Sequence, residues 1–221
     1  MVDELLSDNE REEALREWWR DNWAWILGGI VLGVALLFGW NHWGKHRQGQ
    51  AESAALLYRD VETALMSRDV ARAEEALAAL TGKFDSSSYA AQGRLAVAKL
   101  QFEAGKYAEA EALLRKVADG AKDDELADVA QLRLARLLVQ QGKNDDAIKL
   151  LEPLTAGGFG ALAREIRGDA LFAKGDKEGA RAEYAAALAN ADAPIDRQLV
   201  ELKLQDVGGV VPAASAVQRS L

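Results

Sequence analysis

Between Asn22 and Gly44 the chain reads NWAWILGGIVLGVALLFGWNHWG, with no Asp, Glu, Lys or Arg among 23 residues. A helix crosses a bilayer core with roughly 20 apolar residues, so this stretch is long enough to span. In hydrocarbon the backbone must satisfy its own hydrogen bonds, and a helix does that. All six tryptophans lie between positions 18 and 43. Trp18, Trp19, Trp23 and Trp25 stand at one end, Trp40 and Trp43 at the other. On a helix, Trp23 to Trp43 covers about 30 Å, the separation of the two interfacial belts in which Trp concentrates. The expectation is a transmembrane helix over residues 22–44 that holds the rest of the chain against a lipid bilayer.

The flanks argue against a cleaved signal peptide, which needs a basic start and a small-residue cleavage site. Residues 1–21 carry eight acids against three bases, a net of −5, and His42-Trp43-Gly44-Lys45 offers no such site. A buried helix of a soluble protein would not need Trp at both ends. Residues 1–9 read as unstructured. From Glu10 a short amphipathic helix with Leu15, Trp18 and Trp19 at helical spacing leads into the anchor. Arg11, Arg16 and Arg20 on one side face Lys45, Arg47 and the more distant Arg59 on the other. That balance favours a cytoplasmic tail by little. Gly29 and Gly33 have the small-xxx-small spacing of a helix-pairing face. Gly39 to Lys45 imitates a phosphate-binding loop, but His46 replaces its Ser or Thr and the context is a helix end. His42 and His46 are four apart with no third ligand nearby, so they read as interfacial polar residues.

The 177 residues after Gly44 suffice for one domain with a real core. From Lys45 onward bases and acids nearly balance, which leaves no basic field for nucleic acid. The chain has no cysteine, so disulfides, thiolate catalysis and Cys-based zinc sites are excluded. No nucleophile motif or zinc-protease motif occurs. No catalytic set, metal site or cofactor is expected, and the chain reads as a non-enzyme. After a linker at 45–50, the pattern is helical: Ala51–Met66, then a helix from an Asp69 cap to Leu80, ended by Thr81-Gly82.

A unit then recurs: AKLQFEAGKYAEAEALLRKV, ARLLVQQGKNDDAIKLLEPL and GDALFAKGDKEGARAEYAAA. Aligned on Gly105, Gly142 and Gly175, a small residue lies seven before (Ala98, Ala135, Gly168). An alanine lies five after (Ala110, Ala147, Ala180), and a large residue nine after (Leu114, Leu151, Tyr184). The spacings are 37 and 33 residues. A period near 34 marks stacked antiparallel helix pairs, in which small residues let helices approach and large ones fill the gaps. The unit resembles the tetratricopeptide repeat. It departs at the first-helix Trp, at the Tyr position (Gln101, Leu138, Leu171) and at the closing Pro (Lys122, Phe159, Asp192). The expected fold is all-α: one transmembrane helix, then a TPR-like α-solenoid over 51–206, capped by 194–206, with a mobile tail at 207–221. The first helix of each pair lines the inner surface of such a stack. That makes Lys99, Phe102, Arg136, Val139, Asp169 and Phe172, with Leu95 and Leu132, candidates for a partner-binding groove. Spacing alone leaves groove and core open.

Taken in order, the acidic tail with Trp18-Trp19, the anchor closing on Gly39-Trp40, and the helix at Ser53–Tyr58 resemble one family. So do Leu132-Arg133-Leu134-Ala135-Arg136, Leu162 to Leu171 (LAREIRGDAL) and Lys174 to Arg181 (KGDKEGAR). The family is that of the YfgM-like ancillary subunits of the bacterial SecYEG translocon, and the likeness covers roughly residues 10–206. The resemblance implies a cytoplasmic tail, a single span of the inner membrane and a periplasmic TPR-like domain. The partners it implies are SecYEG, a membrane-anchored parvulin-type periplasmic chaperone, and newly translocated proteins still unfolded. Other readings of the residues are a scaffold for another envelope assembly, or a regulator acting through its cytoplasmic tail.

Overall fold

The computed structural model describes residues 8–189 and 193–210, and every regular element among them is helical. The chain divides into two compact units, 1–52 and 53–221. Among the described residues nine α-helices run in order: α1 Asp8–Met66, α2 Val70–Phe84, α3 Ser88–Glu103, α4 Tyr107–Gly120, α5 Asp124–Gln140, α6 Asn144–Leu151, α7 Gly160–Ala173, α8 Lys177–Leu188 and α9 Arg197–Asp206. A short 3-10 turn, Glu152–Ala156, follows α6.

In the first unit the backbone is one uninterrupted helix. Residues 45–50, expected as a linker, are helical, and so are 8 and 9, expected without structure. The amphipathic start and the anchor are therefore not separate helices. Nothing between Glu10 and Gln50 would break one, since no proline occurs there. Residues Leu15–Phe38 are long and apolar enough to cross a membrane, with a mean hydropathy of 1.6 and none of the span buried.

The second unit stacks α2 to α9 so that consecutive helices are neighbours, and the last turns of α1 share a core cluster with α2 and α3. The expected turn glycines have φ of +75° (Gly105), +75° (Gly142) and +84° (Gly175), the left-handed region that L side chains avoid. Each closes its helix with the same two backbone bonds. Gly105 N–H donates to Phe102 O at 3.0 Å and Lys106 N–H to Gln101 O at 2.8 Å, and the bonds recur at Gly142 and Gly175.

Two further turns continue the series. Gly208 has φ +74° and the same pair of bonds, so α9 ends as α3, α5 and α7 do. Arg68, at φ +54°, makes the equivalent bonds at the end of α1. The turn positions are thus 68, 105, 142, 175 and 208. Residues five after the first four, Ala73, Ala110, Ala147 and Ala180, are all fully buried. Nine after stand Leu77, Leu114, Leu151 and Tyr184, buried as well. At Gly168 the helices approach closely, and an added Cβ would collide with the Tyr184 ring.

Five of the helices start on a side chain that accepts a first-turn N–H, at Asp69, Ser87, Asp123, Asp176 and Asp196. Two boundaries differ from expectation. Helix α2 does not stop at Thr81-Gly82 but continues to Phe84, with the Thr81 hydroxyl donating to Leu77 O at 2.9 Å. Helix α9 does not begin at Pro194, because Asp196 caps it and the first helical residue is Arg197. Asp192 and residues 211–221, most of the expected tail, lie outside the described residues.

Candidate protein-interaction surface

The eight groove candidates separate by depth. Leu95 and Leu132 are each 5% exposed and belong to the main core cluster, so they are withdrawn from the groove. They stand ten residues before their turn glycine, on the face that packs against neighbouring helices. Phe102 and Phe172, three residues before theirs, are 40% and 46% exposed. Val139, at the same place in the middle unit, is half-buried. Six residues before the glycines, Lys99 and Arg136 are exposed. Lys99 lies 3.9 Å from Glu103, and the Phe102 ring stands 5.3 Å from that of Tyr107. The first helices of three successive units thus show the same two rows, one aromatic or aliphatic, the other basic at α3 and α5.

At α7 the basic row reverses sign, and Asp169 is drawn into an ionic cluster. Lys203 of α9 donates to Glu165 and to Asp169, each at 2.8 Å. The Tyr184 hydroxyl donates to the other oxygen of Asp169 at 2.9 Å. Arg136 Nη2 lies 3.8 Å from Glu165, joining α5 to the same group. Burial raises the Tyr184 pKa, and the Asp169 charge and hydrogen bond add to it. Burial pulls the Lys203 ammonium down, but its bonds to Asp169 and Glu165 outweigh that, leaving its pKa raised. Asp169 therefore ties α7 to α8 and α9 rather than presenting an open carboxylate.

Sequence reasoning missed Glu165 and Lys203. The signal was present: Glu165 occupies the place that Leu95 and Leu132 hold in the other units, and an acid in a core row needs a partner. Lys203 lies five before Gly208, and only the fifth turn gives it a place in the repeat.

Exposed salt bridges also join successive units. Lys106 reaches Glu74 at 3.1 Å and Lys143 reaches Glu111 at 3.0 Å. In both pairs the lysine follows its turn glycine, and the glutamate is six past the previous turn. Lys174 pairs with Asp145 at the next interface.

In the first unit, Trp18, Trp19, Trp23, Trp25 and Trp40 are exposed, while the Trp43 side chain lies outside those described. The side chains of His42 and His46 are outside them as well. An added Cβ on Gly29 or Gly33 would meet nothing within 4 Å. Among the described residues no group of three metal-ligating side chains occurs.

Comparison with known proteins adds what geometry cannot. A family model described as "Tetratricopeptide repeat-like domain" matches residues 16–209. An Escherichia coli (strain K12) protein named "Ancillary SecYEG translocon subunit" is 30% identical, over 91% of this chain and 97% of that one. Proteins of the same name are 28% identical in Aggregatibacter actinomycetemcomitans and 26% in Neisseria gonorrhoeae, each over 91% of this chain and 98% of the relative. No solved structure gives a significant match.

Proposed function

The chain belongs to the family of ancillary SecYEG translocon subunits, and from that premise we propose that it is a single-pass inner-membrane protein whose repeat domain is a periplasmic interaction module. It links the translocon to a membrane-anchored parvulin-type chaperone and aids newly translocated, still unfolded proteins. The acidic tail lies in the cytoplasm. The observation that carries the reading is the paired rows on α3, α5 and α7. Phe102 and Phe172 stay exposed three residues before their turns, and Lys99 and Arg136 are exposed on α3 and α5. An aromatic and basic strip of that kind suits an extended or helical segment of a partner. The exposed apolar helix supports the membrane anchor, since Leu15–Phe38 has no core to bury it. Tethering then raises the concentration of the groove near the channel without any new contact.

Co-purification tests this. The full chain with a C-terminal tag is extracted from membranes in mild detergent, and its companions are identified. Recovery of the translocation channel with a periplasmic chaperone is expected. The chaperone should be lost when Phe102 and Phe172 are both replaced by Ser. A different envelope complex in place of the channel would overturn the translocon role. Chaperone recovery unchanged by the double variant would overturn the groove.

A further inference from the structure

Four residues before the turn glycines stand Gln101, Leu138 and Leu171. Leu138 is buried in the main core, and Leu171 packs against the last core cluster. Gln101 is 4% exposed, yet it is polar. Its Nε2 donates to Glu74 at 2.9 Å, while its Oε1 is buried and has no hydrogen-bond partner in the protein. An acceptor left so is costly, and native structures tolerate few.

Gln101 lines a cavity of about 220 Å³ between α2, α3 and α4. That is far more than the roughly 10–15 Å³ one water requires. Leu77 and Leu113 supply apolar wall, and Arg94 and Lys116 line the same space. Arg94 is buried and pairs with Asp85, while Lys116 is exposed. Glu74 is already engaged, since bonds from Gln101 and Lys106 hold its carboxyl below the usual range. One repeat of 37 residues later, the places of Arg94, Gln101 and Lys116 are taken by Gln131, Leu138 and Pro153. Gln101 is thus a polar departure at a place where the next two units set leucine in or against the core. Arg94 and Gln101 are two helical turns apart and share a face. Lys99 is about 200° round from Gln101, so this is not the groove proposed above.

We propose that the cavity binds an acidic residue of an extended peptide. The backbone N–H of that residue donates to Gln101 Oε1, and its carboxylate pairs with Lys116, on the side of the cavity that Arg94 also lines. Its methylene packs on Leu77 and Leu113. The orphan acceptor calls for a donor in the ligand, the exposed Lys116 ammonium calls for an anion, since Arg94 is already paired with Asp85, and the apolar walls suit a short aliphatic stem. An aspartate within a peptide carries all three.

The test uses the full chain in detergent micelles with isotope-labelled leucine methyls. The probes are acetyl-Ala-Asp-Ala-amide and its Asn counterpart. Saturable shifts at Leu77 and Leu113 are expected with the Asp peptide, and at least 5-fold weaker affinity with the Asn peptide. Gln101→Leu copies what Leu138 does one unit later, so it should fold, and it should weaken binding at least 10-fold. Lys116→Glu, on an exposed side chain, should weaken it at least 5-fold and decides the matter should Gln101→Leu not fold. No saturable shift overturns the proposal, and so does equal affinity for the Asn peptide or binding that survives the decisive variant. Neither variant touches Phe102 or Phe172, so a failure here leaves the co-purification result standing.

Discussion

Leu36 and Leu134 are the same residue in the same kind of helix, yet one is 66% exposed and the other 1%. The contrast extends to their neighbourhoods. Around Leu36 nearly every described side chain from Leu27 to Trp40 is apolar and exposed. Around Leu134 the apolar residues form one face and are covered by α4, α6 and α7. Helix formation does not distinguish the two regions; the solvent each is built for does. A stack of amphipathic pairs buries its stripe against its own helices. A helix that is apolar all round has no such partner here and is suited to lipid.

The largest expected effect breaks the lipid side of that contrast. Replacing Leu32 and Leu36 together by Arg should raise the cost of membrane insertion by roughly 6 kcal/mol, about 3 for each site at mid-helix. The variant should be released by alkaline carbonate while the wild type stays with the membrane. Equal retention of both would mean that Leu15–Phe38 is not the anchor.

The next effect belongs to the repeat side. Leu134→Ala should lower the unfolding free energy of the second unit by about 2–5 kcal/mol, the range for emptying a packed core site. Leu36→Ala should change the same quantity by less than about 0.5 kcal/mol, as exposed substitutions do. Thermal melts of both variants in one detergent would show it. Comparable losses would mean the two units share a stability that their separate packing does not suggest.

The same contrast explains how much was legible in the sequence. A charge-free run flanked by Trp needs no tertiary information, so a helix long and apolar enough to cross a membrane could be read directly. The glycine ladder was equally plain, because a left-handed turn admits few residues. Its first member was not, since Arg68 makes the same bonds without being glycine, helped by the Asp69 cap on α2. Gly208 was hidden in what read as a tail. Thr81-Gly82 looked like a stop, but a glycine within a helix is tolerated when nothing else ends it there. Which groove candidates stay exposed was half legible. Periodicity put Leu95 and Phe102 on one helix without saying which would be covered, because α4 and α5 decide that. The ionic cluster was the least legible part, as Glu165 and Lys203 are 38 residues apart and meet only when the stack forms.

That cluster sharpens the comparison within the repeat side, by asking how much of the last interface is ionic. Lys203→Met should cost about 2 kcal/mol, within the range for hydrogen bonds to charged groups, since it leaves the buried Glu165 with only Arg136. The Lys203 pKa is raised in the fold. The contribution of the ammonium is therefore fully present below the unfolded value of about 10.4 and is lost as pH rises through the folded value. The gap between wild type and variant should persist at pH 7 to 9 and shrink above about pH 10.5. A gap that stayed constant into strong alkali would mean that the stem of Lys203 packs and its charge contributes nothing.

The smallest effect concerns the bridges between successive units. Lys143 is half-exposed, and its bond to Glu111 ties the α5–α6 turn to α4. Solvent screening holds such a pair to about 0–1 kcal/mol, so Lys143→Met should lower stability only slightly at pH 7. Burial pushes the Glu111 carboxyl up, but hydrogen bonds from Arg115 and Lys143 outweigh it and leave its pKa lowered. A lowered folded pKa gives stability that is present above the unfolded value of about 4.3 and is lost as pH falls through the folded one. The small difference between wild type and Lys143→Met should therefore shrink as pH falls below about 4.3 and weaken in high salt. Lys106→Met should behave alike, because Glu74 is held low by Gln101 and Lys106 in the same relative place. A difference that survived both acid and salt would show that these lysines join the units through their aliphatic stems. The contrast between the two regions would then rest on apolar packing alone.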